Sequence, residues 1–251
     1  MSTAAIPVHI ALVDESNAIT ADDLTACAGA LNEQIQADFA PIWKVAATVG
    51  AYPVAPAGTW AVIVKEQLDQ PGALGYHTDS NNQPVSYIEL TQDWTVTASH
   101  ETMEMLADPW GNRMHSAILP WAMEIDYVAF GLSTQHSRVH YLLEVADPCE
   151  AVKYSVGGVD MSDFLLPYWY RTELVGCNEH YSHAGGCIHP RQVADGGYVS
   201  FCNDAGEWFQ VFNDAGAMSI QDLGKFSRAE FGSLREFADH HAREFRGHKV
   251  G

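Results

Sequence analysis

Ser99-His100-Glu101-Thr102-Met103-Glu104-Met105-Leu106-Ala107-Asp108-Pro109 reads as the end of a helix, closed at Asp108 because the residue before a proline avoids the helical region. At about 100° per residue, His100 and Glu104 fall roughly 40° apart, one above the other on one face. Asp108 comes about another 40° round, and Glu101 is displaced sideways by about 100°. This is the spacing of the H-E-x-x-H zinc helix with a carboxylate in place of the second histidine. In that motif two residues one turn apart hold the metal, and the Glu after the first ligand is the general base on water. His100 and Glu104 are therefore candidate ligands and Glu101 a candidate base. Val96, Met103 and Leu106 are expected to face the core and fix the helix from behind.

Working towards the N-terminus, Val85 to Leu90 reads as a short edge strand, preceded by a polar loop from Leu74 to Pro84. Trp43 to Val49 and Trp60 to Val64 read as strands around a Pro/Gly-rich turn. Thr20 caps a helix with Asp22 and Asp23 in its first turn; its apolar residues recur from Leu24 to Phe39, and Pro41 is expected to close it. Ile6 to Val13 alternates as a first strand. Towards the C-terminus the pattern weakens. Ser137 to Val145 fits a helix or a strand, and Gly197 to Asn213 fits a hairpin turning at Asn203 to Gly206. A last helix is expected behind a capping box of Ser227 with Glu230, with Phe231, Leu234, Phe237, Ala238, His241 and Phe245 as its apolar stripe. With no repeat and no linker, residues 1–251 read as a single α+β domain: sheet and motif helix in 1–110, remaining ligand in 111–251.

That remaining ligand is sought in Tyr141-Leu-Leu-Glu144-Val-Ala-Asp147-Pro148-Cys149. Two carboxylates in an apolar run are costly to bury unless something pairs them, and a cation shared with His100 and Glu104 would do so. Asp108 and Asp147 could instead orient a ligand without touching the ion.

Ser99–Arg113 (SHETMEMLADPWGNR), Leu143–Glu150 (LEVADPCE), Val159–Tyr170 (VDMSDFLLPYWY) and the later Gly196-Gly197-Tyr198 resemble a group of uncharacterised bacterial and phage proteins with an H-E-x-x-E helix. More remotely they are similar to exordium-like (phosphate-induced) proteins, and both groups look like relatives of the gluzincin metallopeptidases. The order strand, helix, two strands, edge strand, motif helix is likewise that of a zincin half-domain. The resemblance implies a zincin-like fold with a mixed sheet, a metal-binding active-site helix and a C-terminal helix. It also implies His100, Glu104 and Glu144 as ligands, Glu101 as base, and Asp108 and Asp147 near the metal. The expected cofactor is a divalent metal, zinc first, iron or manganese as alternatives. Glu104 departs from true gluzincins, which carry histidine there; a second anionic ligand makes the ion a weaker Lewis acid.

Composition narrows the partners. The 13 Lys+Arg against 32 Asp+Glu give a formal charge of −19, which argues against nucleic acid or an anionic membrane surface. Apolar residues at 47% suffice for a core. No run approaches a membrane span, and the first basic residue is Lys44, so a cytoplasmic protein without a secretory signal is expected. The basic last helix against an acidic body leaves homo-oligomerisation open. Cys177 and Cys187, among several histidines, could close a loop or grip a second zinc. The first expectation is a metallopeptidase acting on a peptide or protein. The alternatives are a non-catalytic metal- or peptide-binding protein and a metalloenzyme of other chemistry.

Overall fold

The structure is a computed structural model and describes residues 7–120, 125–132, 138–171 and 180–249. Two compact units are present, Met1–Trp110 with Lys153–Ser162, and Gly111–Val152 with Asp163–Gly251. In chain order the strands are β1 (Val8–Asp14), β2 (Ala47–Tyr52), β3 (Trp60–Lys65), β4 (Gly75–Ser80), β5 (Gln83–Glu89), β6 (Met114–Ile118), β7 (Arg138–Leu142), β8 (Lys153–Val156), β9 (Val159–Ser162), β10 (Tyr198–Cys202), β11 (Glu207–Asp214) and β12 (Ala217–Lys225). The α-helices are α1 (Ala21–Glu33), α2 (Ala40–Trp43), α3 (Trp94–Ala107) and α4 (Leu234–Lys249). The class is α+β.

The first unit is built on a mixed sheet of order β2-β1-β3-β5-β4, parallel except for the antiparallel β4. Ile10, Leu12, Val62, Val64 and Ile88 are fully buried, as central parallel strands require. Thr20 caps α1 by accepting from Asp23 N at 3.1 Å. Pro41 does not end the helical segment: the chain widens into a π-turn over Gln34–Phe39 and continues as α2, where proline occupies a position whose N–H needs no partner. Lys44, left-handed at φ 61°, ends it.

The sheet edge differs from the sequence reading. Val85 to Leu90 is not the edge: β5 lies between β3 and β4, and the polar stretch taken for a loop forms β4 and its turn. Asn81 and Asn82 make that turn at φ 54° and 59°, the two successive left-handed residues that a tight hairpin needs and that asparagine tolerates.

α3 follows β5, and every residue from Ala98 to Ala107 except His100 is buried. Met103 and Leu106 are buried as expected; Val96, two turns nearer the start than Met103, is half-buried. A closed polar circuit sets the helix just before His100. Ser99 Oγ donates to Gln34 Oε1 (2.8 Å) and accepts from Ser162 N (3.1 Å), while Gln34 Nε2 donates to the Ser162 carbonyl (3.0 Å). The β8–β9 hairpin thereby grips α3, with Lys153 Nζ between Asp93 (3.1 Å) and Asp160 (2.9 Å) at the helix start. Ser99→Ala deletes two buried bonds of the circuit and is expected to cost about 1–3 kcal/mol in urea denaturation. A change under a few tenths would show that the circuit is dispensable.

The second unit holds an antiparallel sheet, β12-β11-β10-β7-β6, over which α4 lies. Phe237 and Ala238 pack with Leu142, Cys202 and Trp208, and Ala242 with Tyr198 and Phe212. The hairpin expected at Asn203 to Gly206 joins β10 to β11. The capping box moves six residues: Ser227 makes only a backbone turn, and Ser233 Oγ accepts from Glu236 N at 3.0 Å at the start of α4. Both sites read S-x-x-E, and the later one adjoins the uninterrupted helical run. In the Cys/His loop the Asp163 carboxylate accepts from Phe164 N (2.8 Å), Ala184 N (2.7 Å) and Gly186 N (3.2 Å). The Cys187 thiol, which donates to main-chain carbonyls, is pushed up to about 12 by burial and Asp163. Cys177, its expected partner in a bond or a second zinc, lies outside the described residues.

Candidate metal centre

In the first unit α3 brings His100 and Glu104 onto one face, with Nε2 and Oε2 3.3 Å apart. Glu104 is fully buried, whereas the His100 side chain keeps 13% of its surface exposed. Glu101 faces β4, where His77 Nδ1 is 3.5 Å from its Oε2 and His77 Nε2 is 2.9 Å from the Asp108 carbonyl. His77 sits in an apparent loop of the sequence, and its burial beside Tyr76 appears only once β4 pairs with β5. Asp108, the residue that follows α3, is also buried, so Glu104 and Asp108 lie buried at the C-terminal end of a helix that carries no Lys or Arg. The helix dipole makes that end negative, which disfavours carboxylates there and favours a cation.

β4 presses closely on this face. A Cβ on Gly75 would come within 2.7 Å of Thr97 Cγ2 and 2.9 Å of Glu101 Cγ. Gly75→Ala is expected to displace Glu101 and cost about 1–3 kcal/mol by overpacking, measured by thermal or urea unfolding. A neutral result would mean that strand and helix can part without penalty.

In the second unit Glu144 and Asp147 are buried, at 5% and 4% exposure. Glu144 Oε2 accepts from Arg235 Nε at 2.9 Å, and Arg235 also lies 3.6 Å from Asp239 one turn along α4. Arg235 supplies Glu144 with a buried cation directly, a contact that the apolar stripe of α4 does not foreshadow. Asp147 opens a 3-10 turn, and Gly197 lets the chain pass so close that a Cβ there would lie 2.6 Å from the Pro148 carbonyl.

Several tyrosine and histidine side chains are tied into the fold. Tyr154 donates to Asp38 Oδ2 at 2.8 Å, Tyr170 stacks on His115, and Tyr168 meets Tyr181 edge-on. His140 lies between Ser116 Oγ (2.8 Å) and Asp204 Oδ1 (3.0 Å).

The described residues thus include histidine, glutamate and aspartate side chains, all buried except the half-buried His100, of the kind that could hold a metal ion: His77, His100 and Glu104 in one unit, Glu144 and Asp147 in the other. Imidazole with carboxylate oxygen suits zinc, iron(II) or manganese(II), so the donor set fits a divalent ion. No family model, curated protein or solved structure matches the chain. Among the described residues no helix is long and apolar enough to cross a membrane.

Proposed function

We propose that the protein is a metal-dependent hydrolase on a zincin-like scaffold, acting on peptide bonds. The observation that carries the reading is the pair His100 and Glu104 one helical turn apart, with Glu101 buried beside them. The placement of α3 directly after a mixed sheet whose edge strand is antiparallel supports the scaffold assignment. His100 and Glu104 would hold the ion, with Asp108 as a further acid of the same unit. A divalent ion there would supply Lewis acidity, making water acidic enough to attack near neutral pH. Glu101 would take the proton of the attacking water on a carboxylate oxygen and return it to the leaving amine. β4, at the end of the sheet order, offers a strand edge along which an extended chain can add by main-chain hydrogen bonds.

A second reading, a metal- or peptide-binding protein that does not cut, is favoured by two contacts. Arg235 already neutralises Glu144, and His77 already lies against Glu101. Metal analysis of the purified chain, followed by a peptide-library cleavage assay, decides between them. Bound metal with cleavage supports the hydrolase; bound metal without cleavage supports the binding protein.

A further inference from the structure

We infer that Glu104 bridges two divalent ions, one held by His100 and the other by His77 of β4. The inference rests on the metal-binding part of the proposed function and adds a second ion to it.

His77 carries the argument. It is 4% exposed, and its Nε2 lies 2.9 Å from the Asp108 main-chain carbonyl, which can only accept. Nε2 therefore bears the hydrogen, and Nδ1 is turned towards acids, with Glu101 Oε2 at 3.5 Å. An imidazole that binds metal through one nitrogen commonly has this arrangement, its other N–H tied to a carbonyl that fixes ring and tautomer. A ligand atom of His77 is also within 4.8 Å of a Glu104 oxygen.

His100 approaches the same carboxylate with Nε2 3.3 Å from Oε2. Charge-assisted N–H···O bonds run at about 2.7–2.9 Å. Two donors on a tetrahedral ion at about 2.1 Å are instead separated by about 3.4 Å, close to the spacing seen here. Glu104 thus has a ligand atom within 4.8 Å of one on His77 and of one on His100. One carboxylate serving two imidazoles is the layout of a two-metal site, where ions about 3.5–4 Å apart share a bridging ligand. Glu101 stays at the side of His77 and keeps its proposed role as base.

The test is a count. The intact chain is stripped with a chelator, loaded with manganese(II), dialysed and analysed for metal per chain, and its electron paramagnetic resonance spectrum is recorded. About two ions per chain with an exchange-coupled spectrum is expected, falling to about one with an isolated six-line spectrum in His77→Asn. Wild type that saturates at one ion, or a His77→Asn chain that still holds two, overturns the bridge while leaving the one-ion reading standing. Wild type that binds none removes both. Should His77→Asn fail to fold, the stoichiometry and coupling in wild type alone decide.

Discussion

Glu101→Gln is expected to lower peptide turnover by about 10²–10⁴-fold while the metal content stays at the wild-type level. The amide keeps the shape of the side chain but cannot accept the proton of the attacking water. Because Glu101 is almost fully buried against β4, the isosteric change should preserve the fold, and unchanged circular dichroism would verify that. A variant that retains turnover removes Glu101 from the mechanism. A variant that loses its metal makes Glu101 a ligand instead of a base.

Arg235→Met should destabilise the chain by about 3–5 kcal/mol in urea unfolding, since it leaves the Glu144 carboxylate buried beside an apolar side chain. Arg235→Met combined with Glu144→Leu should recover most of that loss, because the stranded charge and not the missing bond dominates the cost. A single variant close to wild type would mean that Asp239 and solvent accommodate the change.

Much of the framework was legible in the sequence. Thr20 as a cap, β1, β3, the β10–β11 hairpin and α3 all follow from local rules, namely side-chain capping, alternation and helical period. The elements that escaped were those with weak periodicity. β6 and β12 are edge strands with mostly exposed or half-buried residues, so no alternating pattern marks them. β4 is half polar, and its turn is made by Asn81 and Asn82 instead of glycine. The π-turn at Gln34 leaves an amide inside the core, where a sequence reading expects an apolar residue, and its partners Ser99 and Ser162 are distant in the chain.

The candidate site divides along the same line. That His100 and Glu104 share a face, with Glu101 to the side and Asp108 at the end, is a property of one helix. The sequence alone determined it, because residues four apart in a helix are neighbours whatever surrounds them. That His77 stands against Glu101, and that Arg235 holds Glu144, was decided only by tertiary structure. Each of those contacts joins two elements, and strand register and helix docking bring them together through packing spread over many residues, none of which names the pair.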